Sequence, residues 1–156
     1  VPKDPHHHLP TVELDRDTLR TVHLAPFVSA IAAGVDTVMS SHVCYPALER
    51  ADLPATFSST LIRGLLRQEL GFPGVIVTDD LEMGALRELG GIGAAAVRSV
   101  EAGHDMVLVC SSREAQAEVF EALCAAYRSG RLSSDELDRS VGRIAALRRK
   151  HGLSAS

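Results

Sequence analysis

The strongest constraint on the fold is an internal echo. "AGVDTVMSS", Ala33 to Ser41, and "AGHDMVLVCSS", Ala102 to Ser112, each contain a helix-ending Ala-Gly, an Asp and an apolar run that closes on Ser-Ser. With "GVIVTDD", Gly74 to Asp80, they define three β-rich runs too short for helices, Val35 to Val43, Gly74 to Asp80 and His104 to Ser112, each opening at or just after a glycine. Amphipathic patterns fill the spaces between and beyond, predicting helices over Ala25–Ala33, Ser58–Leu70, Gly91–Ala102, Ser112–Ser129 and Ser134–His151. Runs apolar on both faces, alternating with helices every few tens of residues, are what parallel strands under helical layers require. The fold class is therefore α/β with a parallel sheet.

Local signals place the helix ends. Ser111 with Glu114 and Ser133 with Glu136 have the spacing of a capping box, in which side chains satisfy the free N–H groups of a first turn. Gly71, Gly103, Gly130 and Gly152 stand where a helix needs a left-handed terminal residue. Pro26 fits a first turn, so Asp15 to His23 forms a separate short turn or helix.

Composition bounds the function classes. At 156 residues, 46% apolar, and without a linker, the chain suits one globular domain over residues 1–156. A net charge of -4 and the lack of a basic stripe with interleaved aromatics exclude a nucleic-acid surface of the usual kind. Arg143, Arg148, Arg149 and Lys150 read instead as cations near a helix C-terminus, where the dipole favours them. Cys44, Cys110 and Cys124 are odd in number and lack metal-ligand spacing, which argues against a disulfide framework and fits a reduced, cytoplasmic setting. No run spans a bilayer, so no membrane role is expected.

The chemistry concentrates where "GVIVTDD" ends. Ligands bind parallel α/β sheets at the C-terminal ends of the strands, and Asp79 and Asp80 occupy such an end. In a regular strand Val75, Val77 and Asp79 share one face and Ile76, Thr78 and Asp80 the other, so only one Asp can point into a site. A bare Asp at this position more often caps a turn. A Walker B role would require a G-x-x-x-x-G-K-[ST] loop, which the sequence lacks. His42 ends the first strand run on the same inferred rim, where substrate contact and loop packing are comparable readings. Met83 could line the same rim or simply pack. The His6–His8 run is a solvated loop or a fortuitous metal binder when taken alone.

"LRQELGFPGVIVTDDLEMGAL", Leu66 to Leu86, resembles the nucleophile segment of glycoside hydrolase family 3, in particular its bacterial β-N-acetylhexosaminidase branch. "DPHHHLPTV", Asp4 to Val12, is similar to the D-x-H loop of that branch, and "LAPFVSAIAAGVDTVMSSHV" and "LDRSVGRIAALRRKHGL" to its intervening and final segments. The resemblance implies the C-terminal portion of a (β/α)8 barrel and a retaining glycosidase. Asp79 would be the nucleophile, His6 the acid/base and Asp4 its orienting partner, acting on terminal β-N-acetylglucosaminides such as peptidoglycan fragments. It implies no cofactor and no metal. The Asp-His pair departs from the usual two-carboxylate scheme, and Pro5 stands where a small polar residue is commoner. A phosphorylase is the nearest variant, because an imidazole does not repel incoming phosphate as a carboxylate would.

A closed barrel needs eight strands and roughly 250 residues, and the family's remaining sugar-binding groups belong to segments upstream of those matched here. Three strands alone would expose an edge and an apolar face. The alternative expectation is therefore a catalytically silent half-barrel that forms a homo-oligomer or binds a complementary half.

Overall fold

The computed structural model describes residues 9–83 and 90–153. Its centre is a three-stranded parallel sheet in the order β1 (Thr37–Met39), β2 (Val75–Asp80), β3 (Met106–Leu108). Each strand lies inside its expected run, although β1 and β3 are much shorter than the apolar patterns that contain them. Around the sheet lie α1 (Arg16–Thr18), continued by a π-helical turn at Leu19–His23, then α2 (Ala25–Ala32), a π-helical segment at Thr60–Glu69, α3 (Ile92–Ala102), α4 (Arg113–Arg128) and α5 (Ser134–Lys150). Three parallel strands with helices around them are the α/β arrangement expected from the sequence.

The two faces of the sheet differ sharply. Val38 pairs with Ile76, and both belong to a cluster with Ile62, Phe72 and Ala102 from the helical layer. Side chains alternate along strands, so Val77 and its paired neighbours Met39 and Met106 share the opposite face. That face is covered at Val75, 1% exposed, but open on the two outer strands, where Met39 is 52% and Met106 39% exposed. A second cluster, Phe57, Leu81, Ala95, Ala96 and Val119, packs α3 and α4 near the C-terminal end of β2. Gly93 makes this approach close, since a Cβ there would lie 2.9 Å from that of Ala122.

Helix ends follow local chemistry with two corrections. Pro26 sits in the first turn of α2, and Gly71, Gly103, Gly130 and Gly152 all have positive φ. The capping box expected from Ser111 and Glu114 does not form. Ser112 is the cap, its Oγ accepting from the N–H of Ala115 at 3.1 Å, because the Ser111 N–H already donates to the carboxylate of Glu82. Ser133 does occupy the N-cap of α5 without a side-chain cap bond, and Glu136 turns instead to Arg63 and Arg139.

Helix α5 ties the N-terminal ends of the strands together through the two aspartates of the echo. Asp36, just before β1, pairs with Lys150 and His151. Asp105, just before β3, has a fully buried side chain that pairs with Arg67 and Arg143 and accepts from Ser140 Oγ at 2.8 Å and from the N–H of Ile76 at 2.8 Å. The repeated Asp thus marks where strand starts are fastened.

Candidate active site

Regular pairing ends before β2 does. On the β1 side the register stops at Met39 with Val77, the N–H of Ser40 making a last bond to the Val77 carbonyl. On the β3 side Val77 pairs with Met106 and Asp80 with Leu108, so three steps along β2 match two along β3. A bulge of this kind re-aims the side chains that follow it. The expected strict alternation over Val75 to Asp80 is therefore interrupted between Val77 and Asp80, with Thr78 and Asp79 inside the irregular stretch.

Side chains replace the missing ladder bonds. Thr78, wholly buried, accepts the N–H of Leu108 on its Oγ1 at 3.0 Å. The N–H of Asp80 donates to Oδ1 of Asp79 at 2.8 Å. Oδ1 of Asp80 accepts from the N–H groups of Glu82 at 3.1 Å and Cys110 at 3.3 Å, and the Glu82 carboxylate accepts from Ser111 and Ser112. Asp80 and Glu82 therefore bind the turn after β2 to the loop after β3. Both acids are half-buried, and among the described residues neither has an ion pair with a basic side chain.

His42 lies beneath this turn, 1% exposed. Its Nε2 is 3.0 Å from the carbonyl oxygen of Asp80, which can only accept, so Nε2 carries the proton. Nδ1 is 2.6 Å from Thr56 Oγ1, itself 3.0 Å from the carbonyl of Ser41. Burial lowers the His42 pKa, opposed by the Asp80 carbonyl bond and the charges of Asp79 and Asp80. Both ring nitrogens thus have protein partners, and the ring faces the backbone of the turn. His104 is also buried, between the carbonyl of Ser99 on Nδ1 and Ser40 Oγ on Nε2, and burial pushes its pKa down to about 4.

Met83 is half-buried, and its N–H donates to the Asp80 carbonyl at 3.1 Å. Asp4 and His6 lie outside the described residues, as do His7 and His8. The structure brings together Asp79, Asp80, His42 and Met83. Thr56, Thr78, Glu82 and Cys110 complete the frame and were not singled out as site residues from sequence; Thr78 and Glu82 lie inside the quoted family segment, which was the signal available for them. Among the described residues no group of three or more His, Cys, Asp or Glu side chains is placed to hold a metal ion.

Comparison with known proteins adds a family. A model described as the glycosyl hydrolase family 3 N terminal domain matches residues 1–147. A β-hexosaminidase of Thioalkalivibrio sulfidiphilus is 38% identical over 158 residues, an alignment that covers 99% of this chain and 41% of the relative. A β-hexosaminidase of Stenotrophomonas maltophilia is 47% identical over 94 residues, 60% of this chain and 28% of the relative. Among solved structures, a glycoside hydrolase family 3 β-N-acetylglucosaminidase from a Paenibacillus species superposes with a TM-score of 0.95 at 51% identity, over 99% of this chain and 29% of that one. The chain thus spans well under half the length of each.

Proposed function

Because the chain belongs to glycosyl hydrolase family 3, we propose that it supplies the nucleophile side of a retaining glycosidase site for terminal β-N-acetylglucosaminides, peptidoglycan fragments among them. The observation that carries this reading is the Asp79 carboxylate, part-exposed at the C-terminal end of the central strand, within a bulge and without an ion pair among the described residues. A carboxylate left in that state is available to attack carbon.

In the proposed reaction an oxygen of Asp79 attacks C1 of the sugar while the bond from C1 to the leaving oxygen breaks, and that oxygen takes a proton from His6. Water then gives a proton to His6 and attacks C1, releasing the Asp79 carboxylate with net retention. Asp4 would fix the tautomer of His6 and raise its basicity. Phosphate in place of water would give a glycosyl phosphate, and product analysis in phosphate buffer separates the two acceptors. The test of the nucleophile is Asp79→Asn in a polypeptide that completes the barrel around this chain, assayed on 4-nitrophenyl N-acetyl-β-D-glucosaminide. Turnover should fall by roughly 10⁴-fold or more, the scale of losing a nucleophile; retained turnover would end the assignment.

A second reading rests on the open sheet face. Met39 and Met106, exposed beside the free edges of β1 and β3, favour association with a second copy or a complementary half-barrel. Sedimentation of the isolated chain should show concentration-dependent association, and a sharp monomer over the micromolar range would exclude it.

A further inference from the structure

We infer that His42 is a positioning residue for Asp79, its Nε2–H standing in for the strand donor that β1 fails to supply. This rests on the reading of Asp79 as nucleophile. Beyond Val77 the β1 register gives β2 no further partner, yet the chain must run on through Thr78, Asp79 and Asp80 in a bulged conformation. A backbone segment with its ladder interrupted is free to slip unless other groups fix it.

Two side chains do so from opposite flanks. Toward β3, Thr78 Oγ1 accepts the Leu108 N–H. Toward β1, His42 Nε2 donates to the Asp80 carbonyl at 3.0 Å. The ring is itself held, because Nδ1 meets Thr56 Oγ1 at 2.6 Å and Thr56 is wholly buried. The Asp80 carbonyl is shared between His42 and the Met83 N–H at 3.1 Å, and the Leu81 N–H donates to the Leu108 carbonyl at 3.0 Å, so the peptide that follows Asp80 is held at both ends; His42 is the bond on the β1 flank, limiting the ψ of Asp80 and with it the turning of the Asp80 N–H. That N–H is the group on which Asp79 Oδ1 rests at 2.8 Å. His42 therefore orients the carboxylate through one residue of backbone without touching substrate. The same geometry explains why a histidine at the rim of the sheet is turned inward rather than toward solvent.

The Asp80 amide proton reports the contact directly, so the test needs no turnover. In NMR spectra of this chain, that amide should be slow to exchange. In His42→Leu, exchange at Asp80 should rise by about tenfold or more while the Val75 amide, bonded to the Asp36 carbonyl, keeps its protection. His42→Gln, which retains an N–H near the position of Nε2, should restore the protection. Thr56→Val, which frees the ring but leaves its donor, should give an intermediate loss and serves if His42→Leu does not fold. Unchanged exchange at Asp80 in His42→Leu or Thr56→Val would overturn the inference while leaving Asp79 as nucleophile, as would failure of Gln to rescue. Retained turnover in Asp79→Asn would instead remove the functional premise, whatever the amide does.

Discussion

Below the sheet, Asp36 and Asp105 are each held by two basic side chains; above it, Asp79 and Asp80 are held by backbone N–H groups and no cation among the described residues. The same residue type thus serves two ends of one set of strands in different ways. At the N-terminal ends the carboxylates are neutralised by Arg67, Arg143 and Lys150, with His151 a further hydrogen-bond partner of Asp36, which links distant segments and leaves little charge for chemistry. At the C-terminal end amide dipoles orient the carboxylates without cancelling their charge. A division between a stabilising bottom and a reactive top is the general economy of parallel barrels, and here it is visible in four aspartates.

The widest separation between the two ends should appear in unfolding experiments. Asp105→Ala leaves Arg67 and Arg143 facing a site whose counter-charge is gone, and breaking a buried pair costs about 3–5 kcal/mol. Asp79→Asn, in contrast, should stay within about 0.5 kcal/mol of the parent chain in urea denaturation. Equal losses at the two positions would erase the distinction.

Acid should probe the polar layer that lies between the ends. His104 is buried and neutral, with its pKa lowered to about 4 from 6.5 by burial. A folded pKa below the unfolded one favours the neutral ring, so the stabilisation is present above about pH 6.5 and is lost as pH falls towards 4. The full shift corresponds to roughly 3 kcal/mol. His104→Gln should flatten the fall in stability over that window, and an unaltered pH profile would show that His104 does not carry it.

Much of this architecture was legible in sequence because it is local. Runs apolar on both faces announced parallel strands, and Gly71, Gly103, Gly130 and Gly152 marked helix ends because the left-handed conformation belongs to single residues. What escaped depends on partners far along the chain. The echo identified Asp36 and Asp105 as a repeated pair, but nothing near them in sequence shows that α5 supplies Lys150, His151 and Arg143. Ser111 looked like a cap until Glu82 took its N–H, a contact across 29 positions. The bulge escaped for a related reason: period-two reasoning assumes an unbroken register, and the register breaks where β1 ends and Thr78 and His42 substitute side-chain bonds. Asp79 and Asp80 were placed at a strand end by apolar pattern alone, whereas the nucleophile assignment came from family resemblance.

The finest comparison is between the neighbours themselves. Asp79 is proposed to act through its charge, whereas Asp80 works as an acceptor: the N–H groups of Glu82 and Cys110 both donate to its Oδ1, and the Cys110 thiol also bonds its carboxylate. Asparagine preserves that oxygen and removes only the charge. Asp80→Asn should therefore change stability by less than about 0.5 kcal/mol and keep the turn intact, while Asp80→Ala leaves two amides without their acceptor and should cost about 1–2 kcal/mol, reduced where water reaches them. Thermal unfolding of the two variants, read beside amide exchange at Glu82 and Cys110, measures the difference. If Asp80→Asn were as damaging as Asp80→Ala, charge rather than geometry would govern both acids, and the contrast drawn between them would not survive.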